Sequence, residues 1–228
     1  MILSIDIGLN NLSYILIDIH NYDSMEFEIF EWNNVNVNKS FSDLTWVRSN
    51  YERFSKPDLI SCCEENSIEY TKKDKKDDLK CAIKIFLRKN NITKVISLDY
   101  EKIVKNLNRH FENIVQNYKI DHVVIENQPC MKNPSMKSIQ MILFSLFCLK
   151  TESKISFISA SEKMKFCKRK SFINEIPKNY KATKNASIDV VLKVLESNSW
   201  KKIVIDSKKK DDLSDVFLQA FAFAKHKK

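Results

Sequence analysis

The chain of 228 residues contains a single glycine, Gly8. At an average usage of roughly 7%, a chain of this length would hold about 16 glycines. A P-loop needs two glycines and a dinucleotide-binding fingerprint needs three, because the backbone there must approach phosphate closely. The sequence therefore excludes both kinds of nucleotide site, and we expect no nucleotide cofactor. Only four prolines are present, which excludes a proline-rich low-complexity protein.

Cysteine is present but forms no regular framework. The six cysteines are spaced irregularly, and two of them are adjacent, which is a poor arrangement for disulfide pairing. This usage is typical of reduced thiols in a cytosolic protein. Cys62, Cys63 and Cys81 leave a zinc knuckle open as a second interpretation, although the segment has no CxxC pair and no nearby histidine.

Long hydrophobic runs are absent as well. No apolar run reaches the roughly 18 residues that a membrane-spanning helix needs. The longest candidate, 139–149, contains Gln140 and Ser145. The first strand-like run begins at Ile2, which leaves no room for a signal or transit peptide. We therefore expect a cytoplasmic protein that is not secreted and has no membrane partner.

Positive charge is unevenly distributed. The chain has 33 lysines and 5 arginines, a balance that AT-rich coding produces on its own, so the lysine excess alone predicts no function. Residues 1–127 hold 17 Lys+Arg and 20 Asp+Glu, whereas residues 128–228 hold 21 and 9. This asymmetry favours a polyanionic partner on the C-terminal half. A solvated lysine face is the alternative interpretation.

The hydrophobic pattern predicts an α/β fold. Alternating and continuous apolar runs predict five strands, at about 2–7, 12–19, 27–32, 122–126 and 155–159. Helical periodicity predicts helices at about 102–118, 133–149, 184–197 and from 212 onward. Short turns join the first three strands, which predicts an antiparallel meander. The order βββαβαβαα is typical of a mixed sheet flanked by helices.

Residues 33–100 are less regular than the rest of the chain. Within them, 72–78 form a solvated charge run, and 79–88 have the pattern of a short helix. We expect one domain over residues 1–228, with an insertion or lid at about 33–100 that has no core of its own.

Two carboxylates lie in strands that should otherwise be buried. Asp6 lies within the apolar run 2–7, and Glu126 ends the run 122–126. A carboxylate inside a buried strand costs free energy unless it is paired or bound to a cation. Either carboxylate alone is explained if it caps a neighbouring helix, but the two together favour a cation site.

A third carboxylate site begins the last predicted helix. Asp212 and Asp215 are three residues apart, so a helix places both on one face. A charged helix start with Asp211 as its N-cap is the structural explanation. Together with Asp6 and Glu126, this pair supplies the hard oxygen donors of two Mg²⁺ ions, which activate water against a phosphodiester. The four histidines are scattered and form no competing nucleophile set.

Three segments carry a family resemblance. Residues 4–14 (SIDIGLNNLSY), 124–129 (VIENQP) and 210–217 (KDDLSDVF) occur in the right order and on the expected elements. They resemble the Holliday-junction resolvases of poxviruses and other large DNA viruses, which are relatives of bacterial RuvC and of the yeast mitochondrial resolvases. Residues 133–140 (NPSMKSIQ) and 180–189 (YKATKNASID) resemble two further segments of that family, although the second is less basic here.

The resemblance covers about 1–32 and 102–225. It implies an RNase H-like fold with a mixed five-stranded sheet, in which three antiparallel strands are followed by two parallel ones. It also implies a homodimer that nicks four-way DNA junctions in symmetrical pairs, with two Mg²⁺ ions per active site and Mn²⁺ as a substitute. Such a protein would act on viral recombination or replication intermediates, at the cytoplasmic site of viral replication.

The same resemblance assigns the site residues. The expected catalytic carboxylates and metal ligands are Asp6, Glu126, Asp212 and Asp215. Lys184 falls on the family's catalytic lysine, and Lys163 and Lys165 are the alternatives. The expected DNA contacts are Gly8, Lys132, Lys137, Lys163, Lys165 and Lys181. For Gly8, the requirement of a β-bulge or turn is the alternative explanation. The helix over 133–149 is apolar over a width that suits either a dimer contact or burial in the core.

Two other functions remain open on the sequence. A different RNase H-like nuclease, acting on flaps, branched DNA or RNA–DNA hybrids, would use the same carboxylates. A non-catalytic DNA-binding module of the same fold would have no reason to keep all four of them together. Actin-like ATPase domains also begin with Asp-x-Gly on a first strand, but the single glycine excludes their phosphate loops.

Overall fold

The structure is a computed structural model of the chain. It describes residues 1–8, 11–36, 44–71, 73–90, 92, 100–131, 133–196 and 198–225. Five strands form one sheet in the order β3-β2-β1-β4-β5. Their bounds are β1 Ile2–Ile7, β2 Asn11–Asn21, β3 Glu26–Asn36, β4 His122–Glu126 and β5 Lys154–Ile158.

The sheet is mixed. β1, β2 and β3 pair antiparallel, whereas β4 pairs parallel with β1, and β5 pairs parallel with β4. This arrangement confirms the predicted fold class. Ser4 lies opposite Val124, and Ile5 lies opposite Ile125. The next residues along these two strands are Asp6 and Glu126, so the parallel pairing carries both carboxylates to the same edge of the sheet.

Nine helices are present among the described residues. They are α1 Leu44–Asn50, α2 Lys56–Glu65, α3 Lys76–Lys89, α4 Tyr100–Asn117, α5 Pro134–Lys150, α6 Ser161–Arg169, α7 Tyr180–Val194, α8 Lys201–Asp206 and α9 Lys210–Ala224. A 3-10 turn, Tyr51–Arg53, follows α1. The predicted helices at 79–88, 102–118, 133–149, 184–197 and from 212 correspond to α3, α4, α5, α7 and α9.

The segment between β5 and α7 corrects the predicted element order. No helix is predicted between 159 and 184, but residues 161–169 form α6. Met164, Phe166 and Cys167 are buried there, and α6 packs against α9. α7 also begins earlier than predicted, because the Asn179 side chain accepts a hydrogen bond from the Ala182 amide at 2.8 Å and caps the helix.

The last helix lies at the centre of the hydrophobic core. α9 packs against β1, β2, α6 and α7, and nearly all of its residues from Leu213 to Ala224 are buried. Gln219 of α9 donates hydrogen bonds to the carbonyl oxygens of Ile5 at 3.0 Å and Val124 at 3.2 Å. These bonds fix α9 to the two strands that carry Asp6 and Glu126. None of the described helices is both long enough and apolar enough to cross a membrane.

The chain divides into two compact units. One comprises residues 1–37 and 103–228, and the other comprises residues 38–102. The second unit has a hydrophobic core, formed by Val47, Tyr51, Phe54, Leu59, Cys62, Cys63, Leu79, Ile83 and Leu87. The expectation that this segment has no core of its own is therefore wrong. Its apolar residues come from three short helices, and the charge run between them conceals the pattern in the sequence.

Among the described residues, the three cysteines of the second unit do not gather into a set of zinc ligands. Cys62 and Cys63 are buried in the core of the unit, whereas Cys81 is exposed. Burial raises the pKa of the Cys62 thiol to about 12, which keeps it protonated. Within the part of the chain that the structure describes, no group of three or more metal-binding side chains converges to hold an ion.

The single glycine lies in the tight connection between β1 and β2. The Gly8 amide donates a hydrogen bond to the Asn11 carbonyl oxygen at 2.8 Å. A Cβ atom at Gly8 would lie 2.6 Å from that same oxygen, far inside van der Waals contact. The close approach of the backbone in this connection is therefore sufficient to require glycine, without a DNA contact.

We expect Gly8→Ala to lower the free energy of unfolding by about 1–3 kcal/mol, because the new Cβ forces the β1–β2 connection to shift. Urea denaturation of the wild type and the variant measures this loss. DNA affinity, corrected for the folded fraction, should stay within about twofold of the wild type. A stable variant that has lost DNA binding would contradict this explanation and favour the DNA contact expected from the sequence.

Candidate active site

A cavity of about 320 Å³ opens at the edge of the sheet where β1 and β4 end. The strands supply Asp6 and Glu126 to its wall, and the first turns of α9 supply Asp212 and Asp215. The four carboxylates that the sequence singled out therefore face one space, although they come from three separate elements. Two of the carboxylates are brought together by their spacing on α9, and the other two by the pairing of β1 with β4. The hydrogen bonds of Gln219 hold α9 against these strands, so that all four line the same cavity.

Lys163 of α6 occupies the middle of the carboxylate group. Its ammonium lies 2.8 Å from Glu126 Oε2 and 2.9 Å from Asp215 Oδ2. The side chain is only 7% exposed. Lys163, which the sequence predicts as a DNA contact, therefore lies in the wall of the cavity with its charge paired to two carboxylates.

The electrostatics of the cavity reflect an excess of negative charge. Burial, and after it the charge of Glu126, raises the pKa of Asp6 well above its ordinary value. Burial and the neighbouring Asp211 also raise the pKa of Asp212. Burial acts to lower the pKa of Lys163, but the nearby carboxylates outweigh it and raise that pKa. The Lys209 ammonium also lies 3.7 Å from Asp212 Oδ2, but burial and the neighbouring carboxylates still leave the pKa values of Asp6 and Asp212 raised.

Lys184 reaches the same cavity from α7. Its ammonium forms an ion pair with Asp211 and lies 4.8 Å from the centre of the Tyr180 ring. Burial acts to raise the pKa of Asp211, but the hydrogen bond and charge of Lys184 lower it. Asp211 lies within the first turn of α9 and pairs with this lysine, so it is not the N-cap that the sequence suggested.

One face of α7 forms a wall of the cavity that the sequence reasoning missed. Tyr180, Thr183, Lys184 and Ser187 follow the 0, 3, 4, 7 spacing of a helix face, and all four line the cavity. The Ser187 hydroxyl is buried and has no hydrogen-bond partner among the described residues. Polar residues at helical spacing around Lys184 are the signal in the sequence that could have identified this wall.

The other residues expected to bind DNA lie outside the cavity wall. Lys137 donates hydrogen bonds of 3.2 Å to the Asn127 and Gln140 side-chain oxygens. Lys165 is exposed and pairs with Glu162 at 2.7 Å, and Lys181 is exposed on α7. Lys132 lies outside the described residues.

The donor set of the cavity fits a divalent metal by its chemistry. Carboxylate oxygens are the ligands that Mg²⁺ prefers, and the unbalanced negative charge around Asp6 favours a cation. Lys163 already places one positive charge between Glu126 and Asp215. The four carboxylates line one cavity, although no three metal-binding side chains of the described residues lie close enough together to form a ready-made ion site.

The sheet order and the flanking helices define the RNase H-like fold. Two solved structures share this fold at a TM-score of 0.52. The Fowlpox virus resolvase in complex with Holliday junction DNA is 14% identical and covers 99% of this chain and 97% of its own. The Thermus thermophilus RuvC in complex with a Holliday junction is 7% identical and covers 98% and 92%.

The sequence pattern of the poxvirus A22 protein family matches residues 77–227. The chain therefore belongs to this family, the poxvirus family of Holliday-junction resolvases. The uncharacterized protein L451 of Acanthamoeba polyphaga mimivirus is 33% identical in an alignment 151 residues long, which covers 58% of this chain and 35% of that protein. The chain thus spans about a third of the length of this curated relative.

Proposed function

We propose that the protein is a structure-selective DNA endonuclease that resolves four-way junctions by paired symmetrical nicks. The observation that carries this proposal is the convergence of Asp6, Glu126, Asp212 and Asp215 on one cavity, in a chain of the poxvirus A22 family. A non-catalytic module would gain nothing from holding these charges together, because their mutual repulsion costs free energy. The biological setting we propose is the processing of viral recombination or replication intermediates in the cytoplasm.

The four carboxylates are the proposed metal ligands, and the proposed cofactor is a pair of Mg²⁺ ions, for which Mn²⁺ substitutes. When bound, this pair supplies an activated water and positive charge at the leaving oxygen of the phosphodiester. The carboxylates hold their positions through the protein itself, since β1, β4 and α9 are joined by the hydrogen bonds of Gln219.

Lys184 is the proposed catalytic lysine. It lines the cavity, is partly exposed, and is directed by its ion pair with Asp211. An ammonium in this position is suited to a phosphate oxygen that approaches the carboxylates. Lys163 is less accessible, and we assign it the role of holding Glu126 and Asp215 in place. Thr183 and Ser187 add two hydroxyls that face the same space.

A homodimer is the proposed assembly, because a four-way junction has two opposed strands to cut. Both interpretations of α5 have support. Ile139, Leu143 and Phe147 are buried, whereas Met141 and Leu149 are exposed on the same helix. We propose that the exposed side of α5 belongs to the dimer contact.

We also propose that the nuclease forms one domain over residues 1–228, with residues 38–102 as its insertion.

A substrate panel tests the proposed activity. With Mg²⁺, the purified protein should nick a synthetic four-way junction in pairs at least about a hundredfold faster than a linear duplex of the same sequence. The rival is an RNase H-like nuclease of other specificity, so flaps and an RNA–DNA hybrid complete the panel. Equal cutting of the hybrid or the flap would replace the proposed function with that rival.

A further inference from the structure

The second compact unit, residues 38–102, carries its charge unevenly along the sequence. Residues 44–54 and 79–92 together carry six basic side chains and one acidic side chain. Residues 55–78, which lie between them in the sequence, carry five basic and seven acidic side chains. The core of the unit is formed by apolar residues, so this separation of charge is not a requirement of folding.

The two basic segments pack together. α1 and the 3-10 turn both contact α3, and the Lys80 ammonium lies 3.7 Å from Glu52 of that turn. A hydrogen bond from Tyr51 is the main cause of the lowered pKa of Glu52, and the charges of Lys80 and Lys84 add to it. Glu52, the one acidic residue of these segments, is thus surrounded by positive charge.

α3 arranges its basic residues in a row. Lys80, Lys84 and Arg88 are each four residues apart, so they lie along one side of the helix at steps of about 6 Å. Arg53, Arg88 and Lys89 are exposed, and none of them has an ion pair within 4 Å in the described parts of the chain. We call the set Arg48, Arg53, Lys80, Lys84, Arg88 and Lys89 the basic face.

The basic face contains most of the arginines of the chain. The whole chain has 33 lysines and only 5 arginines, and three of the five are Arg48, Arg53 and Arg88. Arginine is thus concentrated in these two segments relative to the rest of the chain. A guanidinium binds phosphate oxygens through two parallel hydrogen bonds, whereas an ammonium acts as a point charge. The chemistry of the face therefore fits phosphate.

We propose that the basic face binds the sugar–phosphate backbone of duplex DNA and holds an arm of the substrate. This inference rests on the proposed function, because it gives the second unit a role on the same DNA. It assigns no base readout, since charge and guanidinium contacts to phosphate carry no sequence information. The face adds affinity outside the cavity in which the carboxylates lie.

The test uses the full chain and a fluorescent four-way junction, without divalent metal so that no cleavage occurs. The variant is Arg53→Gln/Lys84→Gln/Arg88→Gln. The matched control is Lys56→Gln/Lys73→Gln/Lys75→Gln, which removes the same charge at exposed positions in segment 55–78 of the same unit. Anisotropy over a series of salt concentrations gives Kd and the slope of log Kd against log salt.

We expect the basic-face variant to raise Kd at least about tenfold and to lower the salt slope by about 3, since each phosphate contact contributes about 0.9. The control should stay within about twofold. The proposal would be overturned if both variants raised Kd equally or if neither changed it. No change in Kd would favour an acidic protein as the partner of the basic face. A wild type that binds through this face but nicks no junction would instead overturn only the proposed function.

Discussion

Asp6→Asn is expected to lower the rate of junction cleavage by at least about a thousandfold while DNA binding persists. The amide keeps the shape of the side chain but removes a charge that the proposed metal ions require. Asp215→Asn should have a similar effect for the same reason. Single-turnover cleavage of a four-way junction at saturating protein measures the chemical step, and anisotropy measures binding.

The same substitution should raise the stability of the metal-free protein. The pKa of Asp6 is raised in the fold because burial and Glu126 disfavour its charged form. Above that pKa the charge costs folding free energy, and an uncharged amide removes the cost. A variant that is more stable and inactive is thus the expected result. The control is Asp189→Asn, the same change on the exposed side of α7. Unchanged cleavage by Asp6→Asn would contradict the assignment of the site.

Lys163→Met is the second substitution with a large expected effect. It removes a buried ammonium from between Glu126 and Asp215 and leaves these carboxylates next to Asp6 without compensation. Removing one partner of a buried ion pair typically lowers the free energy of unfolding by about 3–5 kcal/mol. We expect a loss of this order in the metal-free protein, measured by urea denaturation in the presence of a chelator.

Divalent metal should offset part of this loss. If Mg²⁺ binds the carboxylates, it replaces the missing positive charge, so the rise in Tm on adding Mg²⁺ should be larger for Lys163→Met than for the wild type. Lys165→Met, two residues along α6 at an exposed position, is the control and should change stability by less than about 0.5 kcal/mol. A variant as stable as the wild type, or insensitive to Mg²⁺, would show that Lys163 does not hold the carboxylates.

The strands and the carboxylates could be predicted because they depend on local patterns. β1 and β4 are short apolar runs, and a charged residue inside such a run is conspicuous. Asp212 and Asp215 are close in sequence, so helical geometry alone places them together. That they meet Asp6 and Glu126 follows from the parallel pairing of β1 with β4 and from the docking of α9 on the sheet.

The rest depends on tertiary contacts that leave little trace in the sequence. Lys163 lies among several lysines of residues 161–170, and only the packing of α6 against α9 shows which of them is buried. The helix itself was missed because three apolar residues among many charged ones resemble a loop. In the second unit, the core is formed by residues from three helices, and no single stretch carries enough of it to be recognised.

Resolution of four-way junctions is the activity that we assign to the carboxylate site. The most direct test incubates the wild type with a labelled junction and Mg²⁺ and maps the nicks on all four strands. We expect nicks at symmetrical positions on two opposed strands, and both Asp6→Asn and a chelator should abolish them. Nicks that are unpaired, that occur equally on linear duplex, or that survive the Asp6→Asn substitution would contradict this assignment.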